Sequence, residues 1–210
     1  MSISLRATDA LLVIDMQLDF LPGGALAVAD GDAILPGIHA LAAQFDHVIL
    51  TQDWHPRGHI SFASTHGLLP FTDTVQAAYG TQTLWPDHCI QGSPGAALHP
   101  ELDIPHAELL LRKGFRRDID SYSAFTENDG DTPTGLAGYL RERGLTRLFF
   151  TGLAYDFCVG FSALAAARLG FESLVVEDLS RAVGLPGTVE KTNAGFAAAG
   201  VQRILTSDVT

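Results

Sequence analysis

Cysteine is scarce in this chain: Cys89 and Cys158 are the only two in 210 residues. Two thiols cannot make a disulfide framework in a chain this long, so free cysteines are expected. Lysine is equally scarce, with only Lys113 and Lys191 in a chain that otherwise uses arginine. Lys+Arg totals 13 against 24 Asp+Glu, a net charge of −11. Such an acidic chain repels phosphate backbones and anionic lipid, which argues against nucleic acid and membrane as partners. No apolar run approaches the roughly 18 residues of a membrane span. Arg6 and the short Ala10–Ile14 run do not make a signal peptide, so a cytoplasmic protein is expected. Apolar material is not lacking. Hydrophobic residues make up 47% and charged residues 18%, enough for a sizeable core and too much for disorder. At roughly 150 residues per domain, the length favours a single domain over 1–210. No internal repeat, low-complexity tract or linker divides it.

Short continuous apolar runs recur along the chain: Ala10–Asp15, His47–Thr51, Glu108–Leu111, Arg147–Thr151 and Glu172–Val176, with Val201–Leu205 a weaker sixth. Runs without alternation suit strands covered on both faces, as in parallel sheets. Helical patterns lie between them over Asp32–Phe45, Thr134–Arg143, Phe157–Leu169 and Thr188–Ala199. Strands alternating with helices predict an α/β three-layer sandwich around a central, mainly parallel six-stranded sheet. Asp53 to Ala107 breaks the rhythm: it shows no clear helix and many Pro, Gly and His. A loop of this length is usually functional. In open α/β sheets, ligands bind beyond the carboxyl ends of the strands.

Several residues at those ends could carry chemistry. Asp15 follows the first apolar run, as a turn residue or a site carboxylate. Asp53 and His55 are two apart in TQDWHPRGHISF, so an extended chain points them the same way. Four of the eight histidines, His55, His59, His66 and His88, fall within 34 residues. One carboxylate with two or three imidazoles suits Zn, Fe or Mn better than Ca or Mg, although loop histidines also pair with neighbouring acids. Lys113 ends a strand, where it either snorkels to solvent or, if buried near carboxylates, holds an anionic group. Cys158 opens a helix after RLFF. A helix start would lower its pKa and offer an oxyanion site, whereas a structural Cys would simply be buried. Cys89 has no such position and reads as structural. Phe20, Tyr79, Trp85, Tyr122 and Tyr155 are loop aromatics that could pack or sandwich a flat ring.

Together these stretches resemble the nicotinamidases of the isochorismatase-like cysteine hydrolase superfamily, a Rossmann-like fold. The likeness spans nearly the whole chain and is carried by DMQLDF, TQDWHPRGHISF, LWPDHCIQGSPGA, RKGF, DSYSAF and GLAYDFCV. The metal motif and Trp85 carry the narrower likeness, because isochorismatases and other relatives generally lack this metal set. The resemblance implies a triad of Asp15, Lys113 and Cys158 that hydrolyses nicotinamide to nicotinate and ammonia through a thioester, in NAD salvage. It implies an oxyanion hole from the backbone of Ala154 and Cys158, with a cis Leu153–Ala154 bond. It implies one divalent metal ion (Zn, Fe or Mn) on Asp53, His55 and His88, with His59 behind them or joining them. Phe20, Trp85 and Tyr122 match positions that line the ring pocket. Two departures bear on ring specificity: Tyr155 stands where many members have Thr, and Phe157 where they have Tyr or His. The implied partner is a small molecule, nicotinamide or pyrazinamide, and a homo-oligomer is compatible. Another amidase or an isochorismatase-type hydrolase is the nearest rival, and a non-catalytic metal- or ligand-binding protein on this scaffold is a further one. A dinucleotide-binding fold is excluded, since no G-x-G-x-x-G follows the first strand.

Overall fold

Strands that are apolar on both faces need cover on both sides, and the chain supplies it. The structure is a computed structural model that describes residues 2–210. In order, the chain forms β1 (Asp9–Ile14), α1 (Leu35–Ala42), β2 (Val48–Asp53), α2 (Ala63–His66), β3 (Thr74–Ala77) and β4 (Gly80–Thr83). It continues through β5 (Leu109–Lys113), α3 (Leu136–Glu142), β6 (Arg147–Leu153), α4 (Gly160–Arg168), β7 (Glu172–Arg181), α5 (Thr188–Ala199) and β8 (Gln202–Ile204). Side chains alternate across the sheet. Leu11 and Val13 of β1 therefore join Leu35, Ile38 and Leu41 of α1 on one face. Ala10, Leu12 and Ile14 meet Leu140 of α3, Ala163 and Ala166 of α4 and Phe196 of α5 on the other. Each such aliphatic side chain contributes about 1.5–3 kcal/mol on burial. No helix among the described residues is long and apolar enough to cross a membrane.

The expected six-stranded sheet is the one found, and every pairing in it is parallel, in the order β5-β2-β1-β6-β7-β8. The chain builds outward from β1 to β2 and β5, then crosses to the other flank of β1 for β6, β7 and β8. That reversal opens a crevice at the carboxyl ends of β1 and β6. The residues that follow these two strands, Asp15 and Ala154–Cys158, lie there.

The elements differ from the sequence expectation in three places. The 53–107 segment is less bare than expected: it holds the one-turn α2, the antiparallel β3–β4 hairpin and a 3-10 turn at Pro94–Ala96. The run at Glu172–Val176 continues to Arg181, with a register shift opposite Phe150 and Gly152. The helix expected from Phe157 begins instead as a π-helical turn, Tyr155–Val159, in which Val159 N–H bonds Ala154 C=O at 3.1 Å before α4 starts. Such wide turns recur at functional sites, and Cys158 lies within this one.

Candidate active site

Sheet register brings the first group together. Asp53 and Lys113 are direct partners at the ends of β2 and β5. Neighbours in parallel strands share a face, so Lys113 Nζ reaches Asp53 Oδ1. The same ammonium lies 2.9 Å from Asp15 Oδ2, 3.1 Å from the Ser121 carbonyl and 3.3 Å from Cys158 Sγ. Lys113 is 1% exposed. It does not snorkel, because three strands and the 120s loop enclose it. Asp15 is no solvent turn either: it is fully buried at φ 48°, a left-handed conformation costly for a non-glycine residue. Thr51 holds it there, donating its hydroxyl to Asp15 Oδ1 at 2.6 Å and accepting the Asp15 N–H at 3.1 Å. The Leu153–Ala154 peptide is cis, and both Ala154 and Cys158 line the pocket.

The second group is assembled by the long segment folding back. His55 N–H bonds Cys89 C=O at 2.9 Å and Gln91 N–H bonds His55 C=O at 2.8 Å, a short parallel bridge. It sets His88 beside the D-x-H pair. Asp53 Oδ2 lies 3.4 Å from His55 Nε2 and 3.9 Å from His88 Nε2. Each ring donates its Nδ1–H to a carbonyl at 2.8 Å, His55 to Gly114 and His88 to Pro86. That fixes the tautomer and leaves both Nε2 lone pairs aimed at Asp53. One carboxylate and two imidazoles suit a borderline divalent ion, which would take the place of the proton that Asp53, outweighing burial, favours on His55, so these residues fit a metal. His59 stacks on His55 with ring centroids 4.3 Å apart. Both its nitrogens are engaged, with Ser61 Oγ at 2.7 Å and the Ile119 carbonyl at 3.2 Å. His59 therefore supports His55 from behind and does not join the trio. His66 bonds the Ile60 carbonyl at the surface and stands outside the site.

Burial and charge decide the protonation states. Burial works against the Asp53 carboxylate, but Lys113 and the two histidines outweigh it and hold its pKa well below the usual range. Burial would strip the Lys113 proton, yet Asp15 and Asp53 keep the ammonium charged. Burial and the neighbouring His55 lower His88 to about 4, which leaves it neutral beside Asp53. For Asp15, burial wins over Lys113 and raises the pKa. For Cys158, burial also wins over Lys113 and pushes the thiol well up. That corrects the sequence expectation of a thiol lowered by a helix start: at rest Cys158 is protonated, and a base must take its proton.

A pocket of about 370 Å³, counted with its open mouth, joins the two groups. Phe20, Trp85 and Tyr122 line it as expected, and Phe157 stands edge-on to Trp85 with centroids 4.8 Å apart. Tyr155 faces away. Its hydroxyl donates to Asn193 Oδ1 at 2.5 Å and its ring packs on Phe196. Of the two sequence departures, only Phe157 lines the pocket. Tyr79 lies behind the wall, donating to Gln82 Oε1 at 2.9 Å.

Sequence reasoning missed Asp120, Val183 and Leu26 in the lining, and Gln17 beneath it. The Gln17 side chain accepts Asp53 N–H at 2.7 Å and donates to the Asp53 and Ala96 carbonyls. A glutamine three residues past an apolar strand was the available signal.

Gly114 has φ 65°, and a Cβ there would sit 2.7 Å from His55 Nδ1 and closer still to its Cε1. Gly114→Ala should therefore displace a candidate ligand. We expect divalent-metal affinity, read by competition against a chromogenic chelator, to fall by about 10-fold or more. Unchanged affinity would take His55 out of the ligand set.

Comparison with known proteins follows the same lines. The nicotinamidase of Acinetobacter baylyi is 51% identical over 201 residues, covering 95% of this chain and 94% of its own. Among solved structures, an Acinetobacter baumanii nicotinamidase pyrazinamidase superposes with a TM-score of 0.95 at 51% identity, over 97% of this chain and 98% of that one. The pyrazinamidase of Pyrococcus horikoshii, solved in complex with zinc, gives 0.77 at 31% identity, over 94% and 99%. The isochorismatase domain model matches residues 9–204, from the first strand of the sheet to the last. On that match the chain belongs to the isochorismatase domain family.

Proposed function

We propose that this chain is a metal-dependent cysteine amidohydrolase that converts nicotinamide to nicotinate and ammonia. The observation that carries the reading is Lys113 Nζ, which touches Asp15 and Cys158 and also the carboxylate facing two imidazoles, all at one ring-sized pocket. Nicotinamidases and pyrazinamidases among its relatives agree with it.

The residues divide the work as follows. Asp15 takes the Cys158 proton as Sγ attacks the carboxamide carbon. Ligand atoms of Asp15, Asp53 and Cys158 all lie within 4.8 Å of one another, so the transfer is short. Backbone N–H groups of Ala154 and Cys158 stabilise the oxyanion, a contribution of about 3–4 kcal/mol per donor in other enzymes. Asp15 then gives its proton to the departing ammonia and leaves a thioester. Water attacks the thioester, with Asp15 again accepting a proton, which returns to sulfur as nicotinate leaves. Lys113 stays charged throughout and offsets whichever of Asp15 and Cys158 is anionic. Asp53, His55 and His88 would hold one divalent ion, zinc being the one seen in the Pyrococcus relative. Such an ion would supply a fixed positive charge that orients a ring nitrogen toward these three residues. Phe20, Trp85 and Tyr122 hold the ring faces. The physiological place of the reaction is NAD salvage, in a cytoplasm that keeps the two buried thiols reduced.

The test is ammonia release from nicotinamide and from benzamide, with and without chelator. Benzamide keeps the carboxamide and lacks the ring nitrogen. Nicotinamide should be hydrolysed far faster, chelation should remove the preference, and His88→Ala should shrink it while raising KM. Equal turnover of both amides by the wild type would defeat the anchoring role and favour a general amidase.

A further inference from the structure

Asp156 is 2% exposed, lies two residues before the nucleophile, and has no part in the reaction above. Its carboxylate accepts three hydrogen bonds. Val183 N–H and Gly184 N–H donate at 2.9 Å each, and the Thr188 hydroxyl donates at 2.5 Å. The Thr192 hydroxyl donates to its backbone carbonyl at 3.3 Å. All four donors lie on the stretch that leaves β7 and becomes α5. The first three are neutral donors aimed at a carboxyl group, an arrangement of the stronger kind of hydrogen bond. Val183 lines the same pocket as Phe157 and Cys158 of that turn. One residue therefore has its backbone in the nucleophile's turn and its oxygens on the 183–188 segment that supplies another part of the lining.

We infer that Asp156 is a positioning residue: its carboxylate latches the 183–188 segment to the nucleophile turn and so sets how closely Val183 closes on the substrate ring. The inference deepens the amidohydrolase reading and rests on it for the identity of the ring. Asparagine cannot serve in its place. Two oxygens receive three donors, and an amide nitrogen at either position would face an N–H.

The experiment compares Asp156→Asn, Thr188→Val and Thr188→Ser with wild type. It measures kcat and KM for nicotinamide, relative turnover of 5-methylnicotinamide, the rate of Cys158 alkylation by iodoacetamide, and thermal melting. In Asp156→Asn, KM should rise by about tenfold, the equivalent of one buried partner lost, with a smaller fall in kcat. The larger ring should gain relative to nicotinamide, and Cys158 should alkylate faster. Thr188→Val should move each quantity part of the way, and Thr188→Ser, which keeps the hydroxyl, should restore them. Tyr155→Phe loosens the same turn from α5 without touching the wall, so it should lower melting alone. Variants of Asp156 and Thr188 that melt lower with unchanged KM, selectivity and alkylation would overturn the latch. Should Asp156→Asn not fold, the Thr188 pair decides. If the wild type releases no ammonia from nicotinamide, the substrate reading fails, and the alkylation rates still decide the latch.

Discussion

Replacing Cys158 with alanine should leave a folded protein whose release of ammonia from nicotinamide falls by about 10³-fold or more. The sulfur lies 3.3 Å from Lys113 Nζ and lines the pocket, where it is the one thiol among the described residues. The fold should survive, because one sulfur is lost from a turn fixed by the latch at Asp156 and by the Val159 N–H bond. Mass spectrometry after incubation with nicotinaldehyde should find the adduct on Cys158 in the wild type and on no residue in the variant. The competing thiol, Cys89, is fully buried, and burial pushes its pKa well up. Its N–H bonds Asp19 at 2.7 Å and it does not line the pocket. An adduct on Cys89 would transfer the nucleophile's role to it.

Lys113→Met should both inactivate and destabilise. It removes the cation shared by Asp15 and Asp53 from a fully enclosed site. Breaking a buried ion pair from one side costs about 3–5 kcal/mol, since the partner charge remains in a medium that cannot solvate it. The dependence of stability on pH should steepen as well. Burial already raises Asp15, and without Lys113 only the Thr51 hydroxyl still opposes that rise. A folded pKa above the unfolded one means that the folded state binds more protons. Asp15 then contributes stability that is complete below its unfolded pKa and is lost as pH rises through its folded pKa. Urea denaturation with excess chelator should show the variant's deficit growing from pH 5 to pH 8. A variant as stable as wild type at pH 8 would remove Lys113 from the centre of the site.

The sheet was legible because burial on both faces leaves a mark that needs no partner to read: LLVI, VILT and RLFF stand out in isolation. What escaped depended on distant partners. β3 and β4 read TVQA and GTQT, polar and half-exposed, and pair only because a turn folds them together. β7 runs on past Val176 because Thr151 Oγ1 donates to Leu179 C=O, a contact that the polar Glu177 and Asp178 hide. The D-x-H spacing suggested a shared face for Asp53 and His55, and the structure has them so. His88 reaches them only through the Cys89–His55 bridge, which no local pattern encodes. Lys113 was ambiguous for the same reason. Its environment is set by register, and strand order cannot be read from one strand. Asp120 and Gln82 were invisible because their hydrogen bonds join residues 38 apart.

Asp53 uses one oxygen for the ammonium of Lys113 and the other for the imidazoles of His55 and His88. The ion pair at Lys113 and the candidate metal trio therefore have one residue in common, and a change at Asp53 disturbs both at once. Any lineage that gave up the ion by losing Asp53 would also strip Lys113 of a countercharge. A lineage that gave up the histidines could keep the carboxylate and the nucleophile with it. Drift away from metal use thus has an accessible order, imidazoles first and carboxylate last. Substitutions at 53 and 113 should in turn combine non-additively, as expected for residues that share one charge network.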